Sequence, residues 1–124
     1  MHIEKGEIYL ANLGDIKTED IGKIRPVVIF QNNFLNKMID ESLYRDVVII
    51  PLSSKIVRND FNFFIKKRDK LEKDSVALCN AIKMINAKRI ETNKGVLTKL
   101  TQKEIFEIEN ILYNLFGCTN KGQI

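Results

Sequence analysis

The chain is poor in the residues on which many nucleases and redox proteins depend. Its 124 residues include one histidine, His2, and two cysteines, Cys79 and Cys118, which lack CxxC spacing. A mechanism that uses two histidines is therefore excluded, and a Ser-His-Asp triad is disfavoured because His2 lies in an N-terminal segment. Two isolated cysteines with one histidine indicate neither a disulfide scaffold nor a zinc site. We expect both cysteines to be reduced thiols.

The motifs of nucleotide hydrolases and metal-dependent nucleases are also missing. The sequence contains no GxxxxGK[ST], GxGxxG or HExxH pattern and no Asp-rich cation loop, so we predict no metal site and no cofactor. No apolar run approaches the ~20 residues that span a bilayer, and the first residues lack the layout of a signal peptide. We expect a soluble, cytoplasmic protein that does not contact a membrane.

Charge is present but unevenly spread. The net charge is +4, with 29% charged residues, and residues 1–124 have the length of a single domain. Residues 45–73 hold eight Lys or Arg against four acids, and residues 75–100 hold five against one. A basic middle indicates a positive face that attracts a polyanion such as nucleic acid. An ordinary solvated surface is the equally open alternative.

Short apolar runs separated by turn residues predict β-strands. Polar, glycine-bounded residues 14–22 predict a loop, and residues 34–45 an irregular segment that could hold a short helix. Residues 75–85 are ambiguous between strand and helix, and we interpret them as a short strand pair or one bent strand. We place Pro26 as the first residue of its strand and Pro51 at a bulge or strand end. The predicted strands cover residues 6–13, 27–30, 47–52 and 61–65.

One helix is predicted over about residues 102–116. Thr101 and Glu104 form a capping box, Leu100 and Ile105 a hydrophobic staple, and Gly117 is placed as the terminator. Apolar residues recur between them at three- and four-residue spacing. Several strands followed by one helix predict an α+β, mainly β fold: a strongly bent antiparallel sheet or partial barrel packed by a C-terminal helix.

Arg25 is the candidate functional residue that the sequence singles out. Pro26 forces an extended conformation on Arg25, and a planar guanidinium suits phosphate oxygens. Ser53 and Ser54 follow an apolar strand, and the acids of residues 15–20 lie a few positions before Arg25. Together they could stabilise a pentacoordinate phosphate without a metal. An arginine that merely solvates a strand end is the alternative.

The chain resembles the MazF/PemK (Kid) toxins of bacterial toxin-antitoxin systems over residues 6–117. The matching blocks are GEIYLANL, GKIRPVVIFQNN, VVIIPLSSKI, KDSVALCNAIKMI and a capped helix ending in LFG. The resemblance implies an SH3-like barrel with a C-terminal helix, a homodimer and a cognate antitoxin. It also implies a sequence-specific, metal-independent endoribonuclease for single-stranded RNA, in which the 2′-OH attacks the adjacent phosphate to leave a 2′,3′-cyclic phosphate and a 5′-OH.

The resemblance also implies residue roles. Arg25 matches the catalytic arginine, as acid or transition-state stabiliser, Ser53 replaces a common threonine, and Asp20 lies where members often have glutamate, with Glu19 as the alternative. Phe64 could stack an RNA base, although alternate phenylalanines in a strand are usually core. The predicted substrate-binding residues are Glu19, Asn32, Ser54, Lys55, Phe64 and Asn80.

The chain departs from the family pattern at two places. Asn80 and Ala81 stand where members commonly have an acid-glutamine pair, and residues 34–46 form a longer segment than in many members. Lys66, Lys67 and Arg68 are read either as a solvated loop or as a guide for an RNA backbone. The competing functions are a non-catalytic toxin of the same fold that binds a protein, of the gyrase-poison type, and an inactive RNA-binding member. Residues 119–124 lack the C-terminal aromatics of the gyrase-poison type.

Overall fold

The computed structural model describes residues 1–14 and 23–117, and it shows a mainly β, α+β fold as predicted. Two short 3-10 turns, Ala87–Arg89 and Thr92–Lys94, lead into the last strand. Another, Cys79–Ala81, lies between the fifth and the sixth strand. The elements in chain order are β1 (Glu7–Asn12), β2 (Ile24–Ile29), α1 (Asn33–Asp40), β3 (Asp46–Ser53), β4 (Asn62–Ile65), β5 (Ser75–Leu78), β6 (Lys83–Asn86), β7 (Thr98–Lys99) and α2 (Gln102–Phe116).

The strands form one curled antiparallel sheet in the order β4-β5-β3-β2-β1-β7, and β6 also pairs with β3. Strands β5 and β6 run consecutively along one edge of β3. Leu52 lies opposite Ala77 and Ile49 opposite Lys83, so the 3-10 turn between the two strands adds residues on one side only. Such an insertion bends a sheet. The result is a half-barrel, and residues 75–85 hold two short strands, which is one of the two predicted alternatives.

The central strands are apolar without interruption because both of their faces are buried. Val28 and Ile50 belong to a cluster that α2 covers with Ile105 and Ile108. Their neighbours of opposite parity, such as Val27 and Ile49, belong to a second cluster that includes Ile39 of α1. A one-residue slip would exchange these two sets, so packing fixes the register.

Helix α2 has the bounds and the ends that the sequence predicts. Thr101 Oγ1 accepts from the Glu104 N–H at 3.1 Å, and Glu104 Oε1 accepts from the Thr101 N–H at 2.8 Å. Gly117 adopts φ 63° and ψ 40°, a left-handed conformation that suits glycine. The segment before β3 forms α1, which confirms the short helix.

Both prolines lie inside strands, so the placement of Pro26 as a first residue is wrong. Strand β2 begins at Ile24, and Pro26 lies opposite Leu10 of β1. The Leu10 carbonyl accepts from Glu91 N–H, which turns it away from β2, so this pair requires no donor from proline. Pro51 lies inside β3, where the edge partner changes from β6 to β5 and no residue is paired with Pro51 on that edge.

In residues 1–14 and 23–117, neither helix has the length and apolar character needed to cross a membrane.

Candidate functional site

The sheet register brings Arg25 and Ser53 together. Val27 lies opposite Pro51, which is the last pair of the β2–β3 ladder at this end. Arg25 and Ser53 each lie two residues beyond that pair, on strands that are neighbours in the sheet. Two residues that are 28 positions apart in sequence are therefore brought to the same end of the sheet.

A cavity of about 800 Å³ opens at this end of the sheet. Its walls combine the ends of β1, β2 and β3 with two loops, over residues 69–75 and 94–97. The floor includes apolar side chains from the sheet face that α2 covers, among them Leu10 and Leu52. Arg25, Ser53 and Ser54 line it, and the remaining lining residues are Ile24, Pro26, Asp69, Lys70, Leu71, Glu72, Lys73, Ser75, Lys94 and Leu97.

Arg25 and Ser53 are each half-buried and open to the cavity. Within residues 1–14 and 23–117, the Arg25 guanidinium has no hydrogen-bond or ion-pair partner. Ser53 Oγ accepts from the backbone N–H of Lys55 at 3.1 Å. That contact orients the hydroxyl and leaves its proton free for donation, since a hydroxyl donates one hydrogen bond and accepts two. Both groups can therefore donate to an anionic oxygen.

The loop over residues 66–74 is tied to the start of α2 by Arg68. The guanidinium donates to both Glu104 carboxylate oxygens, at 2.9 and 2.8 Å, and also to the Lys99 carbonyl at 3.1 Å. Hydrogen bonding to Arg68 lowers the pKa of Glu104, and the same contact raises the pKa of Arg68. Asp69, at φ 50°, accepts from the Thr98 hydroxyl at 2.5 Å. Arg68 is thus a structural residue, whereas Lys66 and Lys67 keep both interpretations, a solvated loop or a guide for an RNA backbone.

The charged lining of the cavity is mainly positive. Four cationic side chains, those of Arg25, Lys70, Lys73 and Lys94, face two acids, Asp69 and Glu72. The three lysines were not among the predicted site residues, because each is an ordinary exposed lysine in its own loop. The one signal that pointed to them is the excess of basic residues over 45–73 and 75–100.

The other predicted site residues lie away from the cavity lining. Asn32 caps α1, accepting from the Leu35 N–H at 2.9 Å, and Asn80 is exposed in the 3-10 turn between β5 and β6. Lys55 is exposed beside Ser53. Their substrate contacts stay predictions. Asp20 and Glu19 lie outside the described residues.

Phe64 shares a sheet face with Ser53, since both are paired with Val76. The ring is half-buried, and the Arg58 guanidinium lies 4.6 Å from its centroid. A base could stack on this ring only where Arg58 leaves it uncovered. The stacking role of Phe64 stays a prediction.

Cys79 is free and fully buried, and burial raises the pKa of its thiol to about 11. It is an inert core residue at neutral pH. Cys118 lies outside the described residues. Across the part of the chain that the structure describes, no three His, Cys, Asp or Glu side chains are grouped as metal ligands.

Comparison with known proteins places the chain among toxins. A family model described as "PemK-like, MazF-like toxin of type II toxin-antitoxin system" matches residues 4–116. A Staphylococcus epidermidis protein named Endoribonuclease MazF is 34% identical over 122 residues, which cover 95% of this chain and 94% of the relative.

Solved structures share the fold at low sequence identity. Mycobacterium tuberculosis toxin MazF-mt6 gives a TM-score of 0.70 at 16% identity, covering 92% of this chain and 99% of that one. A mycobacterial endoribonuclease in complex with its cognate antitoxin gives 0.72 at 19%, covering 95% and 98%. A MazE–MazF structure from Deinococcus radiodurans gives 0.71 at 15%, covering 96% and 99%.

Proposed function

The chain belongs to the family of PemK-like, MazF-like toxins of type II toxin-antitoxin systems, and we propose that it is an endoribonuclease that cleaves single-stranded RNA without a metal ion. The observation that carries this proposal is the position of Arg25 and Ser53 on the lining of one cavity whose charged side chains are mainly cationic. Two donors without competing partners in the described chain suit a phosphate that gains negative charge in the transition state.

The proposed reaction is an internal transesterification. The ribose 2′-oxygen attacks the adjacent phosphorus, so that an O2′–P bond forms as the P–O5′ bond breaks. The 2′-OH proton passes to a base and the departing O5′ takes up a proton, leaving a 2′,3′-cyclic phosphate and a 5′-OH. Arg25 places a permanent positive charge on the non-bridging oxygens, because a guanidinium stays protonated in proteins. The Ser53 hydroxyl donates a further hydrogen bond to the same phosphate.

Asp20 is the proposed proton acceptor, with Glu19 as the alternative. Both belong to the segment that joins β1 to β2, and Arg25 is the second residue of β2. A carboxylate can take the 2′-OH proton as a general base. Replacing each acid by its amide distinguishes the two, because only loss of the proton acceptor should abolish cleavage.

A cognate antitoxin and a second copy of the chain are the proposed partners. Two of the structural relatives were solved with an antitoxin or with MazE, and an acidic segment suits the cationic cavity of this chain. For self-association, α2 offers three aromatic side chains that are at least half exposed, Phe106, Tyr113 and Phe116. They occupy the same flank of the helix as Glu109, which pairs with Lys5. An exposed apolar surface of this kind suits a homodimer interface.

Purified protein incubated with single-stranded RNA in excess EDTA tests the activity. We expect cleavage products that carry a 2′,3′-cyclic phosphate and a 5′-OH, and 5′-end sequencing of them gives the preferred cleavage sequence. Intact RNA, or cleavage only after a divalent metal is restored, would reject the metal-free mechanism. Intact RNA that is nevertheless bound would indicate the inactive, RNA-binding alternative.

A further inference from the structure

We propose that Lys70, Lys73 and Lys94 form a second phosphate subsite that binds RNA backbone phosphates next to the scissile one. This inference rests on the proposed function, because it assigns the rest of the cavity to the same RNA strand. The three lysines line the cavity with Arg25 and Ser53, although they come from two loops that are separated by the length of β5 and β6. We name them the lysine wall.

The backbone of each lysine is held in place. The Lys70 N–H donates to the Leu97 carbonyl at 2.9 Å, and the Lys94 N–H donates to the Glu91 carbonyl at 3.0 Å. The Lys73 carbonyl accepts from Ser75 Oγ at 2.9 Å. These contacts fix where the three side chains begin, so that binding has only the flexible stems to order.

Lys70, from the first loop, reaches the second loop beside Lys94. Lys70 Nζ is 4.0 Å from the position that a Cβ on Gly95 would occupy, and Lys94 is the residue before Gly95. Gly95 has φ 76°, a conformation that glycine adopts readily. The Lys70 ammonium therefore lies close to the second loop, so both loops present positive charge at one place.

The lysine wall is not neutralised by nearby acids. Within residues 1–14 and 23–117, none of the three lysines forms an ion pair. Asp69 is occupied by the Thr98 hydroxyl, and its charge also raises the pKa of Arg68. Glu72 is then the one lining acid without such a partner in the described chain. When these unpaired ammonium groups bind RNA phosphates, counterions are released.

The position of the lysine wall beside Arg25 and Ser53 favours RNA over a free anion as its ligand. Arg25 and Ser53 take the scissile phosphate, so the strand that carries it must continue along the cavity. The volume of about 800 Å³ lies in the upper part of the ~300–1,000 Å³ range of ligand pockets, and it leaves room beyond one phosphate. Lysine acts on phosphate as a point charge without base preference. The lysine wall therefore holds the strand in register and does not choose the sequence.

The test is the salt dependence of binding to a fully 2′-O-methylated RNA, which has no 2′-OH for attack, measured by fluorescence anisotropy. The variant carries Lys70→Gln, Lys73→Gln and Lys94→Gln. A matched control carries Lys37→Gln, Lys88→Gln and Lys103→Gln, three exposed lysines outside the cavity lining. Circular dichroism checks that both are folded, as expected for exposed positions.

We expect the slope of log Kobs against log[salt] to fall in magnitude by about 2 in the lysine-wall variant, since each single-strand phosphate contact contributes about 0.7. Cleavage of unmodified RNA should show a raised KM with kcat within about twofold of wild type, because uniform binding is lost. The control triple variant, with the same loss of net charge, should keep the wild-type slope.

Equal slopes for the two triple variants, with wild-type cleavage intact, would overturn the lysine wall and leave the proposed function standing. Wild-type protein that neither binds nor cleaves RNA would instead reject the proposed function, and the lysine wall with it. A polyglutamate peptide separates the sources of negative charge. If the lysine-wall variant loses the peptide but binds RNA as wild type does, the subsite serves an acidic protein segment, and the inference is wrong.

Discussion

Replacement of Arg25 by alanine should abolish cleavage while leaving the fold intact. The guanidinium can place two N–H donors on a phosphate, and one preorganised donor is worth about 10²–10³ in kcat, so the loss should be at least about 10³-fold. The folding cost should be small, within about 0.5 kcal/mol, because Arg25 is half-buried and makes no ion pair in the described chain. The backbone of residue 25 has to stay paired with Ala11 of β1, and this pairing does not depend on the side chain.

The measurement is single-turnover cleavage of a fluorophore-quencher RNA in EDTA, alongside thermal unfolding and gel filtration. Arg25→Lys is the matched variant: it keeps the charge but not the planar fork, so its rate should lie between those of wild type and Arg25→Ala. Wild-type cleavage by the alanine variant, with an unchanged melting temperature, would remove Arg25 from the mechanism. Equal rates for the lysine variant and wild type would show that charge alone suffices.

Four further predictions concern Ser53, Arg68, Glu104 and Cys79. Ser53→Ala should slow single-turnover cleavage by about 10–10³-fold, and an unchanged rate would mean that Ser53 is only a strand end. Arg68→Ala should lower the unfolding free energy by about 1–2 kcal/mol and the melting temperature by about 3–8 °C, because a charge-assisted bidentate contact with Glu104 is lost. Since Arg68 lowers the pKa of Glu104 below 4.5, the stabilisation by Glu104 is present above that pH and is lost as the pH falls through the lowered value. Urea unfolding at about pH 7 and about pH 3 should then show a larger Glu104→Gln penalty at the higher pH. In a Cys118→Ser background, the buried Cys79 thiol, with a pKa of about 11, should react with a thiol reagent at about pH 8 only after unfolding; rapid reaction of the native protein would show that this part of the core opens.

Local sequence patterns predicted the elements whose determinants lie within a few residues. The capping box of Thr101 and Glu104 and the glycine at 117 marked both ends of α2, because capping is a contact between near neighbours in sequence. The apolar runs predicted the central strands, because each run is also continuous over a few residues. Strand β7, with two residues, was not predicted, since pairing with β1 rather than any apolar pattern holds it.

Contacts between residues that are distant in sequence determined the features that local patterns did not predict. Pro26 looked like a strand start, but the Leu10 carbonyl opposite it is bonded to Glu91 N–H. The pairing of β2 with β3 ends at Val27, so neither neighbouring strand needs a donor from Pro26. Arg68 looked like one basic residue among three, and only the return of the chain at Glu104 made it an ion-pair partner. Such contacts join residues too far apart for any periodicity to reveal.

For the candidate site, the sequence by itself determined the chemical groups: one arginine set by a proline, a serine after a strand, and no histidine pair or metal motif. The tertiary structure decided their arrangement. Burial of both sheet faces permits one register of β2 on β3, and that register brings Arg25 and Ser53 to the same end of the sheet, where both line one cavity. Folding of the two loops against the sheet edge then brought Lys70, Lys73 and Lys94 to the same cavity, because hydrogen bonds to distant backbone atoms, and not local pattern, hold those loops.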